Sequence, residues 1–320
     1  MKNIKIKEIE GFRIGQASDE LAGTGCTVVL CEEGAVAGVD VRGGSPGTRE
    51  TDLLKSENLI QRIHGCFLAG GSAYGLDVGS GVMKFLEEQE IGFDVSVAKV
   101  PIVPGAILFD MMVGDSKRRP GKDMGYKACE DALLNQDFKN GNYGAGTGAS
   151  IGKALGPQHC MKGGIGSYAV QIGSLKIGAV IAVNSFGDVY DPSVGKLIAG
   201  VHENKTLLNT EKVLINQLHD NETNRFSGNT TIGTILTNAA LDKATANKLA
   251  SISQDGLART IRPSHTFVDG DTLFMLSTNE IEVDLNSLAS LSVQVVEKAV
   301  VNAVKSAKTA YELISYQDLL

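Results

Sequence analysis

Long hydrophobic runs are absent from this sequence. No apolar stretch approaches the roughly 18 to 20 residues that span a bilayer, which predicts that the protein does not insert into a membrane. The N-terminal residues alternate charged side chains with isoleucine, and they lack the apolar core and small-residue cleavage site of a secretory signal. We therefore expect a cytoplasmic protein.

Positive charge is also scarce. The chain carries 30 Lys and Arg against 37 Asp and Glu, which gives a formal net charge of −7. It therefore has no basic field that would attract nucleic acid or an anionic membrane surface. Its 320 residues are enough to bury a large core without disulfides. We expect one domain over residues 1–320, with neither nucleic acid nor membrane as a partner.

The cysteines and histidines do not form a disulfide framework or a zinc motif. The five cysteines are odd in number and include no CxxC pair. The five histidines never occur at the i, i+4 spacing of a helical zinc motif. His159 and Cys160 are adjacent, but neighbouring side chains point in different directions and do not by themselves form a nucleophile and base pair. The sequence predicts no metal site.

Glycine is abundant, at 38 of 320 residues, but no glycine-rich segment matches a nucleotide-binding motif. Residues 146–153 resemble a phosphate-binding loop, yet Thr147 stands where the pattern needs glycine and Ala154 where it needs Ser or Thr. Residues 144–149 loosely match a dinucleotide fingerprint but do not follow a strand. We predict no organic cofactor.

Short β-branched segments and amphipathic segments are mixed along the chain. Predicted strands lie at residues 26–30, 35–40, 93–97, 167–172, 175–183, 231–237 and 273–277, and predicted helices at 52–63, 74–89, 123–134, 242–257 and 286–314. The first two strands, separated by a turn, predict a β-hairpin. A polar stretch at residues 220–228 predicts an exposed linker or loop. Because helices and hairpins do not alternate regularly, we predict an α+β fold of layers and not a doubly wound parallel sheet.

The segment at residues 227–239 carries a chemical signal. A polar loop runs into a β-branched strand there, and Thr230 stands at the junction. One interpretation is a loop that simply enters a strand, since threonine favours β geometry, and the pattern alone favours this interpretation. The other is self-cleavage of the bond between Asn229 and Thr230 by the threonine hydroxyl. The new α-amine, with an ordinary pKa of about 7.7 to 8.0, would then take the proton from its own hydroxyl.

Seven segments decide between these interpretations, because they occur in one order along nearly the whole chain, at residues 38–51, 68–76, 100–110, 146–153, 182–189, 229–233 and 269–271. Together they resemble the peptidase family of the L-aminopeptidase/D-esterase DmpA, and within it the branch of the nylon-oligomer (6-aminohexanoate-oligomer) hydrolases. The resemblance implies an αββα sandwich like that of N-terminal-nucleophile hydrolases. It also implies self-cleavage into an α subunit, residues 1–229, and a β subunit, residues 230–320. By analogy with the family we expect a homo-oligomer, specifically a tetramer.

The resemblance implies that Thr230 is the nucleophile and that Asp269 and Asp271 are the acidic pair beside it. Carboxylates at that place orient the new α-amine and raise its basicity. The alternative for the pair is a β-turn, since Asp-Gly-Asp is favourable turn chemistry. Members close to DmpA carry Ser and an acid here, so the two aspartates indicate the nylon-hydrolase branch.

Three further residues receive roles from the resemblance. Lys153 matches an active-site lysine that holds the threonine or stabilises negative charge, and its alternative is a solvated lysine beside a glycine loop. Asn184 matches a donor to the oxyanion of the tetrahedral intermediate, and its alternative is a residue that ends a strand. Tyr74 matches a motif that lines the substrate pocket, but an ordinary packing role suits it equally.

These observations predict a self-processing N-terminal-threonine amide hydrolase of the aminopeptidase or amidase type, without metal or cofactor. We expect it to act through an acyl-enzyme on short peptides, amino-acid amides or ω-amino-acid oligomers. Two alternatives stay open. One is an acyltransferase like ornithine acetyltransferase, in which an amine replaces water. The other is a non-enzymatic small-molecule-binding protein whose chain stays intact.

Overall fold

The computed structural model describes residues 1–218 and 228–320. The linker predicted at residues 220–228 therefore lies outside the described residues, apart from Gly228. The strands are β1 (Lys2–Ile4), β2 (Arg13–Asp19), β3 (Thr24–Val41), β4 (Thr48–Arg49), β5 (Ile63–Ala69), β6 (Phe93–Asp94), β7 (Lys99–Val100), β8 (Gly105–Ile107), β9 (Ser150–Ile151), β10 (Met161–Lys162), β11 (Gly164–Ile172), β12 (Leu175–Asn184), β13 (Asp188–Asp191), β14 (Lys196–Ala199), β15 (His202–Glu203), β16 (Thr206–Leu207), β17 (Thr230–Ala239), β18 (Ile261–Arg262) and β19 (Thr272–Ile281). The α-helices are α1 (Val78–Glu88), α2 (Lys122–Leu133), α3 (Thr210–Asn216), α4 (Lys243–Thr260) and α5 (Leu285–Ser306).

Two sheet layers share the long strand β3. Its second half pairs with β19, in a layer ordered β1-β11-β12-β17-β19-β3, and its first half pairs with β2 and β5 in the other layer. The hairpin predicted over residues 26–40 is therefore wrong. The turn-forming residues 32–34 bend one continuous strand at a register shift between Leu30 and Ala35, because each half finds its partners in a different layer.

The alternation of side chains along β12 shows how the layers pack. Val180 and Ala182 point to a core between the two sheets, whereas Ile181 and Val183 point to a core under α4 and α5. On the other sheet, residues of β3 and β5 form a third core with α1 and α2. The arrangement is the predicted αββα sandwich, and the prediction that the strands at residues 167–172 and 175–183 lie inside a sheet is confirmed.

Two predicted helices differ most from the structure. The segment at residues 52–63 forms only a 3-10 turn, Asp52–Leu54, and its last residue, Ile63, already begins β5. Leu54 and Ile63 are buried in the core between the sheets, whereas Leu59 is 80% exposed. The helix predicted to reach residue 314 ends at Ser306. The side-chain amide of Asn142 binds both the carbonyl and the N–H of Lys308, which holds the chain outside the helix.

Strand β17 lies inside its sheet, antiparallel to β12 and parallel to β19. The start of β17 therefore lies at the same edge as the end of β12 and the start of β19. Polar residues from three distant parts of the sequence meet at this edge. None of the helices in the residues that the structure describes is long and apolar enough to cross a membrane.

Candidate active site

The edge formed by the three strand ends brings the predicted nucleophile and acids together. Asn184, the last residue of β12, is opposite Thr230, the first residue of β17. A single bridge joins Asn229 to Asp269, just before β19. Thr230 and Asp269 are almost fully buried, with 3% and 1% of their surfaces exposed. The order of the strands in the sheet places these residues next to each other.

Two groups donate hydrogen bonds to the carbonyl oxygen of Asn229. The Gly270 N–H donates to this oxygen at 3.0 Å, and the Thr230 hydroxyl donates to it as well. A Cβ on residue 270 would lie 2.8 Å from Thr230 Oγ1, so glycine leaves room for the hydroxyl. The two aspartates were predicted from the sequence, whereas the glycine between them was not. Its position in the matched Asp-Gly-Asp segment was the available signal.

Lys153 and Asn184 lie on the other side of the Asn229–Thr230 bond. Lys153 Nζ donates to the Asn184 carbonyl oxygen at 3.0 Å, to Asn184 Oδ1 at 2.9 Å and to the Gly228 carbonyl oxygen at 2.9 Å. Asn184 Nδ2 also donates to the Gly228 oxygen, at 3.3 Å. Burial lowers the pKa of the Lys153 ammonium to about 8. The alternative of a solvated surface lysine is wrong, because Lys153 is 5% exposed.

The two aspartates are held by different partners. Asp269 accepts the Thr266 N–H at 2.9 Å and the Thr266 hydroxyl at 2.6 Å on Oδ2. Asp271 accepts the Thr231 N–H at 2.7 Å, one residue from the predicted nucleophile. Burial, with the negative charge of Asp271 as the second cause, raises the pKa of Asp269 to about 6.

His265 is a neighbour of this site that sequence reasoning did not identify. Its ring Nδ1 lies 2.9 Å from Asp271 Oδ2, and its backbone N–H donates to the same oxygen at 3.0 Å. The φ of His265 is 57°, in the left-handed region. This conformation lets both the backbone N–H and the imidazole ring of His265 contact the Asp271 carboxylate. A histidine six residues before an aspartate carries no pattern that predicts this contact.

Tyr74 and Cys160 lie apart from this cluster of hydrogen bonds. The Tyr74 ring is 58% exposed and stacks under Arg119, whose guanidinium carbon is 3.8 Å from the ring centre. Among the described residues, no hydrogen bond joins Tyr74 to the other predicted site residues. Cys160 donates to the Gly156 carbonyl oxygen, while His159 Nδ1 lies beside the His202 oxygen. Burial raises the pKa of the Cys160 thiol to about 11, which keeps it protonated and unreactive near neutral pH.

A cavity of about 290 Å³ adjoins the site. Its inner wall consists of the buried residues Val113, Ser150, Lys153, Cys160 and Leu313. Its rim includes the exposed residues Met112, Pro157, Gln158 and Glu312. The cavity thus has largely apolar walls, a lysine at its inner end and a carboxylate at its mouth, which suits a small amide with an aliphatic part. In the part of the chain that the structure describes, no group of three or more His, Cys, Asp or Glu is placed to hold a metal.

Comparisons with known proteins agree with the fold and with the family resemblance. The model of Peptidase family S58 matches residues 5–313. An uncharacterized aminopeptidase of Mycobacterium leprae is 42% identical over 293 residues, which cover 87% of this chain and 79% of that protein. A 6-aminohexanoate-oligomer endohydrolase of Agromyces is 32% identical over 279 residues, or 86% of this chain and 75% of that protein.

A solved structure shares the fold. The L-aminopeptidase D-Ala-esterase/amidase of Ochrobactrum anthropi, described as a variant of the Ntn hydrolase fold, superposes with a TM-score of 0.69 at 18% identity. The match covers 98% of this chain and 90% of that one. The resemblance to the DmpA family and to its nylon-oligomer-hydrolase branch is confirmed.

Proposed function

Because the chain belongs to peptidase family S58, whose members named above are aminopeptidases and amide hydrolases, we propose that it is a self-processing amide hydrolase with Thr230 as its nucleophile. The observation that carries this proposal is the arrangement at the Asn229 carbonyl. The Thr230 hydroxyl and the Gly270 N–H both meet the oxygen of the bond that would be cleaved. The coarser function, a peptidase or amide hydrolase, follows from the family.

Self-cleavage proceeds in two steps. Thr230 Oγ1 forms a bond to the Asn229 carbonyl carbon, and the Gly270 N–H stabilises the negative oxygen of the tetrahedral intermediate. The C–N bond then breaks, and its nitrogen takes the proton that the hydroxyl has lost, which leaves an ester and a free α-amine. Water hydrolyses the ester. The products are residues 1–229 and 230–320, and Thr230 becomes an N-terminal residue.

Turnover of a substrate uses the groups that cleavage releases. Lys153 Nζ and Asn184 Nδ2 hold the Gly228 carbonyl oxygen in the intact chain. When this segment leaves, both donors become available to a substrate carbonyl oxygen at the end of the cavity that Lys153 lines. The α-amine of Thr230 takes the hydroxyl proton during attack and gives it to the leaving amine, and Asp271, bound to the next residue, favours the protonated amine.

The test of this proposal is the intact mass of freshly purified protein under denaturing conditions. The wild type is expected to give two fragments, the smaller beginning at Thr230, and Thr230→Ala a single chain. Thr231→Val is the matched control, because it removes the neighbouring buried hydroxyl, and it is expected to cleave. A wild-type chain that stays whole for days would refute self-processing and favour a binding protein.

A second assay identifies the acceptor of the acyl group. Cleaved enzyme is incubated with amino-acid amides and short ω-amino-acid oligomers, with and without added ornithine as a competing amine. Release of the free acid at an unchanged rate indicates hydrolysis. An N-acylated ornithine product would indicate the acyltransferase alternative.

A further inference from the structure

The amide of Asn184 is fixed by four hydrogen bonds. Its Oδ1 accepts from the Ser150 N–H at 3.0 Å and from Lys153 Nζ at 2.9 Å. Its Nδ2 donates to the Phe109 carbonyl oxygen at 2.9 Å and to the Gly228 carbonyl oxygen at 3.3 Å. A rotated amide would turn its NH₂ group toward two donors. The backbone groups of Ser150 and Phe109 therefore help to determine which way Asn184 points.

Lys162 holds the segment that delivers the Ser150 N–H. Its side chain is fully buried, and its Nζ donates at 2.8 to 3.0 Å to three backbone carbonyl oxygens, those of Gly146, Ala149 and Gly163. An ammonium has three donors, so all of them are used. The pairing of β9 with β10 places Lys162 opposite Ser150. The ammonium thus clamps the turn at residues 146–149 from which Ser150 emerges.

Asp110 holds the segment that delivers the Phe109 carbonyl. Its carboxylate is 3% exposed and accepts the Thr24 hydroxyl at 2.6 Å and the Gly71 N–H at 2.7 Å. A Cβ on Gly148 would lie 2.9 Å from the Cβ of Asp110. Asp110 therefore packs against the same turn that the lysine clamps.

These two buried groups also affect each other electrostatically. Burial raises the pKa of Asp110 to about 6 and lowers the pKa of Lys162 to about 7. The positive charge of Lys162 lowers the pKa of Asp110, and the negative charge of Asp110 raises the pKa of Lys162. Each charge therefore partly offsets the effect of burial on the other group. Two opposite charges in a low-dielectric interior attract across the turn that separates them, which holds the two segments together.

We propose that Lys162 and Asp110 are positioning residues for the Asn184 amide. Lys162 acts through the Ser150 N–H and Asp110 through the Phe109 carbonyl, so that each end of the amide is fixed by a segment that a buried charge holds in place. Neither side chain takes part in the bond changes. The inference rests on the proposed function, because it matters only if Asn184 holds the Gly228 carbonyl beside the bond that is cleaved and later acts on a substrate carbonyl.

The experiment compares Lys162→Met with Lys243→Met. Lys243 is a matched control, since it is 4% exposed and its Nζ donates to two backbone carbonyl oxygens, of Leu53 and Asn58, at 3.0 and 2.9 Å. Both variants lose a buried ammonium that binds backbone. We expect Lys162→Met to slow self-cleavage by tenfold or more at a temperature where circular dichroism shows it folded, and Lys243→Met to stay within twofold of the wild type.

Steady-state kinetics of the cleaved fraction give a readout that a general loss of stability does not move. With an amino-acid p-nitroanilide as the probe, Lys162→Met is expected to lower kcat about tenfold and leave KM within twofold, because a misplaced oxyanion donor weakens the transition state alone. Equal losses in the two lysine variants would overturn the positioning role.

Asp110→Asn keeps the inference testable if Lys162→Met does not fold. The asparagine retains both hydrogen bonds, because its Oδ1 accepts from Gly71 and its Nδ2 donates to the Thr24 hydroxyl. Only the charge is lost, and self-cleavage is expected to slow at least fivefold. A rate equal to the wild type would refute the role of Asp110. If the wild type itself does not cleave, it is the proposed function that fails.

Discussion

The space around the Thr230 hydroxyl depends on a missing methyl group at residue 270. Gly270→Ala would place its Cβ 2.8 Å from both Thr230 Oγ1 and the Ser45 carbonyl oxygen, so the hydroxyl and residue 270 must move apart. A displacement of about 1 Å in a reacting atom costs roughly a hundredfold in rate, and we expect self-cleavage to slow by about that factor. Gly121→Ala is the control, because its nearest contact would be Asp77 Oδ2 at 3.4 Å. Time courses of intact mass at 25 °C compare them, and equal rates would contradict the steric argument.

We expect ionisation of Asp269 to give the proposed self-cleavage an acid limb, that is, a rate that falls at low pH. Its two oxygens accept the N–H groups of Phe186 and Thr266 and the Thr266 hydroxyl, an arrangement that only the carboxylate satisfies fully. Because the pKa is raised to about 6, the rate should fall as pH decreases through 6. The same shift means that the folded chain binds this proton more tightly than the unfolded chain. This group therefore stabilises the fold as pH falls from about 6 toward 4, opposite to its effect on rate.

The pH dependence is measured as the self-cleavage rate between pH 5 and 8 in the wild type and in Asp269→Asn. The variant cannot ionise at this position, so its rate should be low and should lose most of the acid limb, with only the smaller pH dependence of Asp110, whose pKa is also about 6, remaining. A variant that keeps the wild-type limb would assign the limb to another group.

The residues proposed to carry the chemistry were predictable to the extent that they lie in short matching segments. Thr230, Asp269, Lys153 and Asn184 meet as the resemblance implied. His265 was not predictable, since its contact with a carboxylate requires a left-handed backbone that no local pattern indicates. Contacts that depend on the tertiary path of a loop leave little trace in the sequence.

At the scale of elements, the turn that follows α5 sets the mouth of the cavity. Ala310 and Leu313 pair across Tyr311 and Glu312, which have φ values of 54° and 63°. Two non-glycine residues in left-handed conformations cost free energy. This turn was not predictable from the sequence. The apolar spacing of the predicted helix continues to residue 314, past the place where the side chain of Asn142 binds the backbone.

The turn predicts a preference for substrates with a terminal ammonium. Glu312 lies at the rim, and no described residue forms an ion pair with it. A hydrogen bond to a charged group contributes enough for roughly a tenfold effect. We expect Glu312→Gln to lower kcat/KM about tenfold for an ω-aminoacyl amide and less than twofold for its N-acetylated counterpart. Glu203→Gln, at an exposed glutamate of β15, should change neither value, and parallel losses on both substrates would contradict the prediction.

At the scale of the whole molecule, the layers were predicted better than the path of the chain through them. Mixed strands and helices, together with the resemblance, indicated the αββα sandwich. The hairpin at residues 26–40 was predicted wrongly because a local turn signal does not reveal that the flanking strand halves belong to different sheets. Only the long-range pairing of β3 with β19 and β5 decides whether the chain reverses or bends there.

The strand order also predicts that the two products of the proposed self-cleavage stay together. β17 pairs with β12 from the larger product, and β19 pairs with β3, also from the larger product. Helices α4 and α5 cover a core that includes residues of both products. Separating them would expose that core to water, at about 25 cal/mol for each Å² of apolar surface. We expect both fragments to coelute in native size-exclusion chromatography, at the volume of intact Thr230→Ala, and to separate only in denaturant. A smaller fragment that elutes alone without denaturant would contradict this, because it would require the central sheet to open between β12 and β17.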